Sequence, residues 1–176
     1  MIEDREKVLQ ILASLDKKLY HQGRRDKLGF IIIGGTAFLL LQNHRVTEDI
    51  DVIILNAVKE EEIKILNEHQ INNQVQCIIG FPPNEDFIEH KIKLELDFQC
   101  LEVFYPEPVY LILSKIFASR MYRKDLEDIV ASGILDSINF EELEKLYDEY
   151  LGYNSSKHYW SIDEIKKEYI KYKKAN

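Results

Sequence analysis

Apolar residues recur at three- and four-residue intervals along the start of the chain: Val8, Leu9, Ile11, Leu12, Leu15 and Leu19. That spacing predicts an amphipathic helix over residues 4–20, with Asp4 as its cap. The polar stretch Gln22 to Lys27 reads as a turn, and its basic residues Arg24, Arg25 and Lys27 as a solvated loop. The pattern then changes. Phe30 to Ile33 is an unbroken apolar run of strand length, stopped by Gly34-Gly35, and Ala37 to Leu41 is a second apolar block. Arg45-Val46-Thr47-Glu48-Asp49-Ile50-Asp51 follows. The order predicted is strand, tight glycine turn, short helix, loop, and a second strand whose first residues carry two carboxylates.

Beyond it, Ala57 to His69 reads as a helix with Ile63 and Leu66 inward and Lys59 to Glu62 outward. Gln74 to Ile79 reads as a short strand, and Gly80 to Asp86, with two prolines, as a loop. Residues 91–99 alternate, Ile92, Leu94, Leu96 and Phe98 against Lys93, Glu95, Asp97 and Gln99, which predicts a half-buried strand. Leu101 to Tyr105 is its expected hairpin partner. Pro106-Glu107-Pro108 stops the sheet and starts a helix carrying Leu111, Ile112, Lys115, Ile116 and Ser119. Asn139 to Glu142 opens a helix through Leu143, Leu146 and Tyr150 that Gly152 should end. Ser161 to Glu164 opens the last, with Lys166, Lys167, Lys171, Lys173 and Lys174 outside. The fold class expected is α+β: a mixed sheet flanked by helices over residues 1–135, then a helical C-terminal region over 136–176.

Composition narrows the class. With 176 residues, 45% hydrophobic and 31% charged, the chain can bury a sizeable core. No apolar stretch reaches the length of a membrane span, and the charged start, Met1 to Lys7, lacks the apolar core of a signal peptide. Cys77 and Cys100 fit no metal spacing and read as buried thiols of a cytoplasmic protein. The five histidines show no ligand spacing either. A net charge of −8 argues against broad binding to phosphate backbones.

The chemistry concentrates in residues 30–52. Glycines let a backbone come close to a ligand. A helix opening directly after them offers free N–H groups to an anion such as phosphate. Asp49 and Asp51, two residues apart on a strand, share one face and suit a hard cation such as Mg²⁺. A phosphate cradle facing a carboxylate pair suits phosphoryl or nucleotidyl transfer.

Gly34-Gly35-Thr36-Ala37, then Asp49-Ile50-Asp51 with thirteen residues between Gly35 and Asp49, resembles the signature of the nucleotidyltransferase superfamily, which includes DNA polymerase beta. Arg45-x-Thr47-x-Asp49-Ile50-Asp51 is similar to its small bacterial members, among them toxins of toxin–antitoxin and abortive-infection systems. The second glycine stands where many members carry a serine, so that hydroxyl contact to a triphosphate is missing. The resemblance implies a nucleotidyltransferase-like sheet, with Gly34, Gly35, Thr36 and Arg45 near the nucleotide and Mg²⁺ on Asp49 and Asp51. It also implies a third metal-binding carboxylate from a strand beside the first pair: Asp97, with Glu95 or Glu102 as alternatives.

The block from Pro106 to Ile129 is similar to a second block of those bacterial proteins, a helical lysine before Lys124-Asp125-x-x-Asp128-Ile129. By that resemblance Lys115 contacts nucleotide phosphates or the base region, and Asp125 with Asp128, one helical turn apart, fixes it. The reaction implied moves a nucleoside monophosphate from a nucleoside triphosphate to an RNA or protein acceptor, with an antitoxin protein as a possible partner. The rival is a catalytically inactive module of the same fold, acting through a protein partner.

Overall fold

The apolar run at Phe30 becomes the central strand of a mixed sheet. The structure, a computed structural model, describes residues 1–42, 47–73, 82–118, 123–153 and 160–175. All five residues of β1 (Leu28–Ile32) are buried. Because alternate strand residues face opposite sides, the sheet is covered on both faces there. β2 (Ile50–Ile54) runs antiparallel beside β1, and β3 (Ile71–Asn72) lies parallel beside β2. On the other flank β5 (Leu101–Pro106) runs parallel to β1, and β4 (Lys91–Lys93) pairs antiparallel with β5. The strand order is β3-β2-β1-β5-β4.

This topology decides what meets where. β1 and β5 end at the same edge of the sheet, and β2 begins there. Each of the two parallel strands is followed at that edge by a helix: α2 (Gly34–Gln42) after β1, and α5 (Pro108–Ile116) after β5. α2 and α5 pack against each other. α1 (Arg5–His21) starts at Asp4, whose carboxylate accepts the Lys7 N–H at 2.7 Å, and packs against α2 and α3 (Glu60–Glu68). α4 (Asn84–Glu89) precedes β4. α6 (Arg123–Ala131) packs on α5 and α8 (Ile162–Ala175), and α7 (Phe140–Tyr153) packs on α5. Leu143, Tyr150, Ile162 and Ile165 from the last two helices join the same hydrophobic core as Phe30, Phe38 and Phe117. Among the described residues no helix is long and apolar enough to cross a membrane.

Four elements differ from the sequence reading. The 91–99 strand stops at Lys93, with Leu94 adding one further bond to Val103 O at 2.8 Å. The chain then leaves the sheet because Asp16 on α1 captures the next segment: its carboxylate accepts Gln99 N at 2.9 Å and Cys100 N at 2.8 Å. α4 begins inside the expected Gly80 to Asp86 loop, directly after Pro83, and runs on to Glu89. Glu62 faces inward, not outward. It meets the buried guanidinium of Arg24 at 2.8 Å, so Arg24 belongs to no solvated loop. α7 runs through Gly152 to Tyr153. The strand expected over 74–79 lies outside the described residues, as do Cys77, Gly80, Phe81 and Ser119.

Candidate active site

Gly34 opens α2 with φ of +64°, a left-handed conformation that costs other residues about 1–2 kcal/mol. A second constraint coincides with the first. A Cβ on Gly34 would stand 3.0 Å from Asp51 Oδ2, too close for the carboxylate to stay where it is. The turn and the carboxylate therefore form one unit. Register puts them together: Ile33 N donates to Asp51 O at 2.9 Å, and Ile32 pairs with Val52. Gly35 is the second residue of α2, so the helix start with its free N–H groups sits directly over Asp51.

Asp49 lies two residues earlier, just before β2. Two threonines fix its backbone: Thr36 Oγ1 donates to Asp49 O at 2.8 Å and Thr47 Oγ1 to the same oxygen at 3.1 Å. Thr36 is buried, and its hydroxyl bonds protein. It ties α2 to the start of β2, at the edge where the sequence reading expects nucleotide. Thr47 is held in turn by Ile2, through Ile2 N to Thr47 O at 2.7 Å and Thr47 N to Ile2 O at 2.9 Å. Arg45 lies outside the described residues.

The three candidates for a third carboxylate do not reach this edge. Glu102 on β5 pairs with Gly29, at the other end of β1, and its carboxylate meets Lys93 Nζ at 2.7 Å. Four residue steps separate Gly29 from Ile33, roughly 13 Å. Glu95 and Asp97 are exposed in the segment between Lys93 and Cys100, and that segment runs toward the same far end, where Leu28 N bonds Cys100 O at 2.8 Å. The strand beside Asp51 is instead β3, and the residue in register is Asn72. Asn72 Nδ2 donates to Asp51 Oδ1 at 3.0 Å. The sequence reading missed it. Gln70 turns the chain from α3 into β3 at φ of +59°, a left-handed residue with no glycine to mark it, and Gln70 O accepts Ile50 N at 2.8 Å. The apolar–polar step Ile71-Asn72 directly after a helix was the available signal.

Lys115 belongs to a separate cluster. Its ammonium lies 2.8 Å from Asp125 Oδ1 and 2.9 Å from Asp128 Oδ2, and all three side chains are 3–4% exposed. It also lies 5.7 Å from the centre of the Phe38 ring on α2, one helical turn beyond Gly34. The three residues that the second block singled out are thus brought together, joining α5, α6 and α2.

At the same edge of the sheet, α5 and α7 add phenols, and α4 adds the carboxylate of Asp86. His90 stacks on Tyr110, ring centres 4.3 Å apart, and the Tyr150 hydroxyl donates to Asp86 Oδ2. Burial, seconded by nearby carboxylates, pushes Tyr110 up to about 12. Burial and the Asp86 bond raise Tyr150 strongly. Both phenols therefore hold their protons to higher pH than a free tyrosine, and Tyr150 donates its own to Asp86. Cys100 is likewise buried, with its thiol pushed up to about 12, and is inert as a nucleophile. A groove of about 450 Å³ between α6 and α8, walled by Leu126, Val130, Tyr172 and Ala175, contains none of the expected site residues.

Two carboxylates of hard oxygen donors, one of them seated against a glycine helix start, fit a divalent cation with a phosphate. Among the described residues no group of three or more acidic, histidine or cysteine side chains forms a larger ligand set. Neither curated proteins nor solved structures gave a significant match to the chain. One family does match, over residues 9–176 and so across sheet, site and C-terminal helices alike: this chain belongs to the nucleotidyltransferases of unknown function designated DUF6036.

Proposed function

We propose that this protein transfers a nucleoside monophosphate from a nucleoside triphosphate to a hydroxyl on a cellular RNA or protein, with Mg²⁺ held by Asp49 and Asp51. The observation that carries the reading is the close fit of Gly34 to Asp51: the position a Cβ would take is 3.0 Å from a carboxylate oxygen. A merely structural turn has no need to bring a helix start and a carboxylate so close. A site for a metal–triphosphate complex does, because the phosphates need the helix N–H groups and the cation needs the carboxylate.

In the reaction the acceptor hydroxyl oxygen bonds to the α-phosphorus, the bond from that phosphorus to the bridging oxygen breaks, and pyrophosphate leaves. The hydroxyl proton passes to solvent. When bound, Mg²⁺ supplies positive charge that stabilises the attacking and leaving oxygens. The chain does the rest. The α2 start orients the triphosphate, Thr36 and Thr47 fix Asp49, and Asn72 orients Asp51. Lys115 acts as a positioning residue, holding α5 and α6 against the helix that opens at Gly34. A role as the toxin of a toxin–antitoxin pair fits the sequence resemblance and places the acceptor among cellular RNAs or proteins.

A second reading has one observation in its favour: Asn72 stands where a third carboxylate would complete the site. In that reading the protein binds nucleotide without turnover and acts through a protein partner. One experiment separates the two. The protein is incubated with cell extract, Mg²⁺ and each of the four nucleoside triphosphates labelled at the α-phosphate. Transfer predicts label in a discrete RNA or protein band, dependent on Mg²⁺. No label from any nucleotide, while the protein binds one of them, supports the binding module.

A further inference from the structure

Asn72 and Asp51 face each other on adjacent parallel strands, and the amide N–H donates to Asp51 Oδ1 at 3.0 Å. The other oxygen, Oδ2, lies against the Gly34 turn. One oxygen of the carboxylate thus accepts from a neutral donor, and the other stands beside the glycine that opens α2. A carboxylate at position 72 would act in the opposite sense. It would repel Asp51 at the short spacing of paired strands until a cation joined the two. No third acidic group is assembled with Asp49 and Asp51 among the described residues.

We infer that Asn72 makes cation binding depend on nucleotide. This rests on the reading of the site proposed above and deepens it. Two carboxylates hold a free divalent cation weakly, since affinity for hard cations follows the number of charged ligands. The triphosphate brings the charge that the protein leaves out, so the cation enters as the metal–nucleotide complex. Asn72 keeps Asp51 oriented in the meantime through its hydrogen bond to Oδ1. The site therefore takes up metal tightly only together with substrate.

The test uses Mn²⁺ as the probe, followed by calorimetry and by the paramagnetic signal of the free ion, with and without a nucleoside triphosphate. The parent protein binds Mn²⁺ weakly alone and tightly with nucleotide. Asn72→Asp binds Mn²⁺ alone at least about tenfold more tightly than the parent. It also melts at a lower temperature than the parent in chelator and recovers on adding Mn²⁺. Asn72→Ala, which loses the donor without adding charge, shows no such tightening. If Asn72→Asp and the parent bind free Mn²⁺ equally, or if Asn72→Ala tightens as much as Asn72→Asp, the inference is overturned while the site reading stands. If the parent binds no Mn²⁺ even with nucleotide, the site reading falls and the inference with it.

Discussion

The molecule contains two clusters of aspartates that look alike in sequence and differ in every physical respect. Asp125 and Asp128 are buried and meet Lys115 at 2.8 and 2.9 Å, so their charge is answered inside the protein. Asp49 and Asp51 are half-buried at the open edge of the sheet, where α2 begins, and the partner seen on Asp51 Oδ1 is a neutral amide. A buried ion cluster that is answered internally shapes the fold. In the reading proposed above, the half-buried pair at the sheet edge serves a ligand instead. The difference teaches that a polar motif must be read with its burial, which spacing alone does not give.

The comparison can be broken most directly at Lys115. Lys115→Ala leaves two buried carboxylates without their ammonium, and losing one partner of a buried pair costs about 3–5 kcal/mol. Chemical denaturation should show that loss, with any fall in label transfer tracking the unfolded fraction. A variant that keeps its stability and loses transfer would move Lys115 from the fold to the chemistry.

Gly34→Ala sharpens the other side. The left-handed turn costs a side chain about 1–2 kcal/mol, and the added Cβ must displace Asp51 Oδ2. Stability should fall by about that amount, while affinity for a nucleoside triphosphate with Mg²⁺ falls further than the lost stability explains. An equal affinity in the folded variant would reduce Gly34 to a turn.

A third contact, belonging to neither cluster, sets the scale. Tyr150→Phe keeps the ring that packs on Phe117, at 6.1 Å between centres, and removes the bond to Asp86. The loss expected is about 1–2 kcal/mol. The pH dependence has a definite sign. The unfolded phenol ionises near its ordinary 10.0, whereas the folded one holds its proton to higher pH. Above 10.0 the unfolded state therefore binds fewer protons, and stability falls as pH rises. Tyr110, folded value about 12, contributes in the same direction. Tyr150→Phe should flatten the alkaline loss of stability measured from roughly pH 9 to 11, about one unit either side of 10.0.

Much of the fold was legible because its signals are local. The apolar run at Phe30, the glycine pair and the two aspartates lie within 22 residues, and the structure keeps them together as β1, α2 and β2. Ser161 and Glu164 likewise cap α8 as their spacing predicts, each bonding the other's backbone or hydroxyl. What escaped was long-range. The alternation over 91–99 continues past the point where Asp16, 83 residues earlier than Gln99, draws the chain out of the sheet. That departure carries Asp97 and Glu95 away from Asp51, and no local pattern records it. The pairing of Arg24 with Glu62 is similarly invisible, because both residue types are ordinarily exposed. Asn72 was hidden behind a left-handed glutamine, where a turn normally announces itself with glycine or asparagine.

The central claim, that Asp51 holds the cation of a metal–nucleotide complex, meets its most direct test in Asp51→Asn. The substitution is nearly isosteric at a half-buried position, so the melting temperature without ligand should stay close to that of the parent. Calorimetric titration with each nucleoside triphosphate in Mg²⁺ should show binding by the parent that vanishes when Mg²⁺ is chelated, and none by Asp51→Asn. Undiminished, Mg²⁺-dependent binding by a folded Asp51→Asn would contradict the account.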